Sequence, residues 1–246
     1  MSKTIILIPS RMSATRLPGK PLLKINNLSI ISHVVNKAQN TEIGRVVVCT
    51  EDQSILDEVI KNGGEAILTS NLHKSGTDRI FEGYQKLNIK DVDYILNVQG
   101  DEPSIDEKDI INLNNMMIET NSNIGTLGAN IKDSKIFINK NIVKVETKEK
   151  LNEKNSSLAV SFKRKHFFKE GENIYHHIGV YAYNVSTLKK FVKLNQTQNE
   201  IKNRLEQLRA LDNNLKINVI LAKSSPIGVD TKEDYLELKK NMEYKS

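Results

Sequence analysis

Directly after the first apolar run comes Pro9-Ser10-Arg11-Met12-Ser13-Ala14-Thr15-Arg16-Leu17-Pro18-Gly19-Lys20-Pro21, which sets the cations Arg11, Arg16 and Lys20 among the hydroxyls Ser10, Ser13 and Thr15. Folding alone does not ask for so many donors in one loop. Backbone N–H groups, hydroxyls and cations converging after a strand make a cradle for a polyphosphate; the competing reading is a basic surface loop. It is not a Walker loop, because Pro21 follows Gly19-Lys20 and Ala14 stands where that motif has glycine, and it contains no G-x-G-x-x-G fingerprint.

Two further loops carry unusual residues. His73-Lys74-Ser75-Gly76-Thr77-Asp78-Arg79 offers a tight turn and small polar groups that let backbone approach a planar ligand. It also reads as a plain helix start, with Ser75 or Thr77 capping and Asp78 complementing the dipole. Asn97-Val98-Gln99-Gly100-Asp101-Glu102-Pro103 ends a strongly apolar run with a carboxylate pair. Asp101 there is placed as a Mg2+ ligand for a nucleoside triphosphate would be, since magnesium takes one or two carboxylates and completes its shell with phosphate oxygens and water. Asp230, in Gly228-Val229-Asp230-Thr231, is a second such carboxylate or a helix cap. Only seven of the 36 basic residues are Arg, so Arg11, Arg16 and Arg79 in these loops point to a use for the planar fork that an ammonium lacks.

The elements that must hold these loops are legible as alternation. Short apolar runs at 4–9, 45–50, 65–69 and 94–98 are followed by helical-period segments at 30–39, 55–62, 78–87 and 107–119. Such succession predicts an α/β chain with a mostly parallel, doubly wound central sheet flanked by helices, its site at the carboxyl ends of the strands. From about 130 to 175 the rhythm weakens, with short strands at 142–146 and 158–162. This stretch reads as an inserted arm of a single domain spanning 1–246. A strand at 178–183, helices at 186–193 and 200–211, a strand at 217–222 and a helix at 231–242 follow.

Composition narrows the class. With 38% hydrophobic and 27% charged residues the chain is neither collagen-like nor disordered, and at 27.9 kDa it can bury a large core unaided. Cys49 is the only cysteine, so no internal disulfide forms; it reads as a buried small hydrophobe. The leading apolar run, Ile5 to Ile8, is too short for a signal core or a membrane span, so a cytoplasmic protein without membrane association is expected. The net charge of +6 is concentrated between 131 and 200, interleaved with Glu146, Glu149, Glu153, Glu170 and Glu172. That is a solvated face. No zinc spacing or recognition-helix pattern supports nucleic-acid binding.

Taken together, IPSRMSATRLPGKPL at 8–22, SGTDR at 75–79, NVQGDEP at 97–103, HIGVYAY at 177–183, LEQLRAL at 205–211 and VDTKEDY at 229–235 resemble the CMP-Kdo synthetases, the 3-deoxy-manno-octulosonate cytidylyltransferases, in order and over nearly the whole chain. The resemblance implies a nucleotide-diphospho-sugar-transferase-like fold, a homodimer built partly through 130–175, and CTP, Mg2+ and a ulosonic sugar acid as partners. By motif position, Arg11, Arg16 and Lys20 would bind the triphosphate, Ser75 and Arg79 would help read the nucleotide, and Asp101 and Asp230 would hold Mg2+. Gln99, which also borders the nucleotide, would line the sugar-acid side with His177, Tyr181, Glu200 and Gln207. Lys20, Asp101 and Asp230 form the implied catalytic set.

Departures from the family pattern gather on the sugar side. Lys163 stands where the resemblance places a substrate-end arginine, with Arg164 the alternative register; His176 precedes the His of HIGVYAY where Arg or Lys is common; Asn203 replaces a Glu. The sugar acid is accordingly 3-deoxy-manno-octulosonate (Kdo) or a modified relative such as its 8-amino form. Two competing readings are a non-catalytic nucleotide-binding paralogue and a glycosyltransferase, the latter disfavoured because Gly100-Asp101-Glu102 stands where an Asp-x-Asp would be.

Overall fold

The computed structural model describes residues 3–13, 16–167, 171–226 and 228–243. In chain order its elements are β1 (Thr4–Ser10), a 3-10 turn at Lys20–Leu22, β2 (Lys24–Ile25), β3 (Leu28–Ser29), α1 (Ile30–Gln39), β4 (Val46–Thr50), α2 (Gln53–Lys61), β5 (Ala66–Leu68), α3 (Gly76–Leu87), β6 (Tyr94–Asn97) and α4 (Glu107–Thr120). Then come β7 (Ile124–Ala129), α5 (Lys135–Ile138), β8 (Lys144–Thr147), β9 (Ser157–Lys163), β10 (Ile174–Asn184), α6 (Val185–Phe191), α7 (Gln198–Asn203), α8 (Gln207–Asp212), β11 (Ile217–Ala222) and α9 (Lys232–Glu243). Contacts divide them into two compact units, Met1–Ile110 with Pro226–Ser246, and Ile111–Ser225. Among the described residues no helix is long and apolar enough to cross a membrane.

In the first unit the strand order is β5-β4-β1-β6, all parallel, with Leu7 opposite both Val47 and Asn97. Every residue of β1 and β4 is buried, as the unbroken apolar runs require of strands covered on both faces. Helix α3 can lie on β4 because Gly83 has no side chain: a Cβ there would come within 2.3 Å of the Cys49 sulfur. Helix α9 returns to this unit, where Leu238 packs with Ile25, Ile30 and Val229, and Tyr235 donates to the Lys24 carbonyl at 2.7 Å. The packing fixes the Gly228–Asp230 loop.

The second unit corrects the expectation of a mostly parallel sheet. Only β7 and β11 pair in parallel; β10 pairs antiparallel with β7 and β8, and β9 with β8 and β11, so the five strands close into a ring. Residues 130–175 supply β8, β9 and the start of β10. Strand β7 was not anticipated, because Gly125 and Gly128 weaken its pattern. Both lie against packed side chains: a Cβ on Gly125 would come 2.7 Å from the Met117 sulfur and one on Gly128 3.1 Å from Tyr175 Cβ. The single helix expected at 200–211 is two, broken where Arg204 takes a left-handed φ of 53°.

Candidate active site

Three loops of the first unit close on the end of β1. A Cβ on Gly100 would meet the Pro9 carbonyl oxygen at 2.9 Å and one on Gly76 the Pro9 ring at 3.1 Å, so both positions need glycine or very nearly so. The turn before Lys20 depends on Gly19, whose φ of 71° is left-handed, and on Pro21 at the start of the 3-10 turn. Lys20 is thereby projected inward. Its ammonium donates to Asp101 Oδ2 and, at 2.8 Å, to the Val229 carbonyl, and lies 3.5 Å from Asp230 Oδ1. Arg16 pairs with the other oxygen of Asp230 at 2.8 Å. The Val229 N–H donates to the Asp101 carbonyl at 2.9 Å, tying the two acidic loops together.

Asp230 does not cap α9. Thr231 does, its hydroxyl accepting from the Asp234 N–H at 3.2 Å while Asp234 Oδ2 accepts from the N–H groups of Asp230 and Thr231. That division of labour leaves the Asp230 carboxylate for Lys20 and Arg16. Two carboxylates meeting on one cation, 31% and 37% exposed, form a hard-oxygen pair open to a ligand. The fit is to Mg2+ completed by phosphate oxygens. Among the described residues no group of three or more His, Cys, Asp or Glu is placed to hold a metal ion from protein ligands alone.

The remaining expected nucleotide residues divide. Arg11 stands exposed beyond β1, and Thr15 lies outside the described residues. Ser75 is the N-cap of α3, accepting from the Asp78 N–H at 3.1 Å and donating to Asp78 Oδ2 at 2.9 Å. Arg79 is 3% exposed; it pairs with Glu51 and donates to Thr69 Oγ1 at 2.8 Å and the Ser70 carbonyl at 3.2 Å. Its guanidinium is engaged in holding the 69–75 loop. Gln99 Nε2 lies 3.4 Å from Asn97 Oδ1. The loop after β4 went unread; its Asp52 accepts from the Met12 N–H at 2.8 Å, and the signal was a carboxylate pair, Glu51-Asp52, at a strand's carboxyl end.

In the second unit, β10 bulges between Ile178 and Tyr181. Thr126 covers the bulge, its hydroxyl 2.8 Å from the Val180 carbonyl and 3.1 Å from His177 Nε2. With the hydroxyl proton given to Val180, the His177 ring nitrogen is assigned as donor. Burial, with the charge of His176 adding to it, pushes His177 down to about 3, so the ring is neutral. Phe162 meets it edge-on at 5.0 Å, and Tyr181, whose hydroxyl burial raises well above 10, lies 5.4 Å away. Both oxygens of Glu200 are taken by Arg209, at 2.8 and 2.6 Å, and the acid also completes a capping box with Thr197. Gln207 opens α8, half-buried. Lys163 pairs with Glu146 at 3.0 Å on the exposed side of β9. Arg164 instead donates to the carbonyls of Lys140, Asn203 and Arg204, and Lys144 to those of Asn139, Ile142 and Arg164.

A lysine, an arginine and two carboxylates brought together beside the carboxyl end of β1 suit a polyphosphate ligand, and the relatives of the chain are nucleotidyltransferases. Residues 5–217 match the cytidylyltransferase family. The 3-deoxy-manno-octulosonate cytidylyltransferases of Thermodesulfovibrio yellowstonii and Afipia carboxidovorans are each 42% identical to the chain; the matches cover 94% of it and 94% and 93% of those proteins. A solved CMP:2-keto-3-deoxy-manno-octonic acid synthetase complexed with CTP superposes with a TM-score of 0.88 at 31% identity, covering all of both chains. The chain belongs to the 3-deoxy-manno-octulosonate cytidylyltransferases within the cytidylyltransferase family.

Proposed function

We propose that this protein transfers CMP from CTP to the anomeric hydroxyl of 3-deoxy-manno-octulosonate and releases pyrophosphate, activating the sugar for lipopolysaccharide synthesis. The observation that carries the reading is the meeting of Lys20, Arg16, Asp101 and Asp230 at one point, in a chain related to these enzymes along nearly its whole length. Arg11, Arg16 and Lys20 engage the triphosphate and offset charge on its oxygens. Asp101 and Asp230 would hold Mg2+, which when bound supplies charge stabilisation at the phosphates. Ser75 and Gln99 border the nucleotide, and Arg79 supports it by fixing the 69–75 loop. The catalytic work of these residues is orientation and charge compensation, so no His or Cys nucleophile is needed.

His177, Tyr181, Gln207 and Lys163 serve the sugar acid, with Glu200 acting through Arg209. A neutral His177 and a protonated Tyr181 suit hydrogen bonding to hydroxyls and not proton abstraction. The departures at Lys163, His176 and Asn203 favour one second reading, in which a modified ulosonic acid such as the 8-amino form is the better acceptor. Homodimerisation through 130–175 is supported by Ile138 and Val160, 58% and 54% exposed on that stretch. Cys49, buried with its thiol pushed up to about 12 by burial, suits the reducing cytoplasm. Pyrophosphate release measured with CTP, Mg2+ and a panel of ulosonic acids tests the reading. Turnover with 3-deoxy-manno-octulosonate or its 8-amino form supports it, and none with any acid refutes it.

A further inference from the structure

An aspartate at a helix N-cap ordinarily accepts from the N–H groups of the first turn. Asp52 occupies that position of α2 with extended backbone, φ −103° and ψ 119°, yet among the described residues its side chain makes no capping bond. The helix starts regardless, since the Asp52 carbonyl accepts from the N–H groups of Ile55 and Leu56, both at 3.2 Å. The Asp52 N–H donates to Thr50 Oγ1 at 3.1 Å, which fixes the residue at the end of β4. The carboxylate is turned away from its own helix. It reaches to the β1 loop, where Oδ2 accepts from the Met12 N–H at 2.8 Å.

Met12 is held on its other side as well, because its carbonyl accepts from the Gly19 N–H at 3.2 Å. Met12 and Gly19 are thus joined into one base, and Asp52 anchors that base to β4. Lys20, next in the chain after Gly19, reaches Asp101 and Asp230, and Arg16 reaches Asp230. A carboxylate beside a loop built to attract a polyanion works against that attraction. The bond it makes accounts for its presence.

We infer that Asp52 is a positioning residue: it gives up capping α2 to set the base of the cationic loop, and with it the presentation of Arg16 and Lys20 to the triphosphate. The inference rests on the reading that this loop binds CTP. Two substitutions separate the roles. Asp52→Asn keeps an acceptor oxygen at the same reach, whereas Asp52→Ser keeps a good helix cap but is too short to reach Met12.

The test is calorimetric titration of CTP with Mg2+ into each protein, with protection of the Met12 amide from hydrogen exchange as a second readout. Asp52→Ser is expected to weaken CTP binding about tenfold, the scale of one lost charge-assisted hydrogen bond. It should also expose the Met12 amide while leaving the urea midpoint and the KM for the sugar acid in place. Asp52→Asn should bind CTP within about threefold of the parent. Parent-like binding and amide protection in Asp52→Ser would overturn the inference, as would equal losses in both variants. A parent protein that fails to bind CTP would overturn the proposed function itself, and the inference with it.

Discussion

The ammonium of Lys20 is hydrogen-bonded to the carboxylate of Asp101, a residue 81 positions away at the end of a different strand. Lys20 is 12% exposed and Asp101 31%, so the pair is partly withdrawn from solvent, where charge interactions are less screened. With Asp230 on the same ammonium, it makes one small region in which an anionic ligand, a cation and two acids can exchange partners.

Asp101→Asn should lower turnover by about a hundredfold or more, because the lost carboxylate acts mainly on charge present in the transition state. The asparagine can still accept from Lys20, so the unfolding midpoint should hold. Steady-state kinetics at saturating Mg2+ and CTP check this; near-normal turnover would remove Asp101 from the metal-holding role.

Glu200→Ala should destabilise the second unit by about 2 kcal/mol or more, since it removes both close hydrogen bonds to the buried Arg209 and leaves Glu206, 3.8 Å away, as its acid. The Glu200 and Arg209 side chains are each 5% exposed, and the Arg209 guanidinium lies 4.9 Å from the Phe191 ring centre. Urea unfolding measures the loss; an unchanged midpoint would mean that the pair contributes nothing to the fold.

Lys163 and Arg164 should separate by assay. Arg164→Ala strips donors from the carbonyls of Asn203 and Arg204 at the end of α7, and should lower the unfolding midpoint. Lys163→Ala, at a 45% exposed side chain, should leave the midpoint in place and raise KM for the sugar acid. If Lys163→Ala leaves KM unchanged for every acid tried, Lys163 has no part in binding it.

Stability should fall as pH drops below about 6.5. Burial pushes His176 down to about 4, with Lys144 adding to the effect, and His177 down to about 3, from an ordinary 6.5. The unfolded chain then takes up protons that the folded chain refuses. Each group therefore contributes up to about 1.4 kcal/mol of lost stability per pH unit, for His176 until about pH 4 and for His177 until about pH 3. Urea unfolding between pH 7 and 5 reads the slope, and His177→Gln should reduce it; an equal slope in that variant would contradict the assignment.

The first unit was legible because parallel strands covered on both faces leave continuous apolar runs, and its site loops because cations and hydroxyls after a strand have no folding purpose. The second unit hid its pattern. Gly125 and Gly128 dilute β7, the bulge before Tyr181 shifts the register of β10, and the left-handed turn at Arg204 breaks a helix whose residue types promised continuity. Side-chain pairing was hidden too. Arg79 pairs with Glu51, 28 positions away, and Arg209 takes both oxygens of Glu200, pairings that residue types and spacing do not announce.

The central claim is tested most directly by comparing CTP with UTP in Mg2+-dependent pyrophosphate release with 3-deoxy-manno-octulosonate. A site that reads the exocyclic amine of cytosine strands buried polar groups when given a carbonyl there, so kcat/KM for CTP should exceed that for UTP by about a hundredfold or more. Equal values for the two nucleotides would contradict the account.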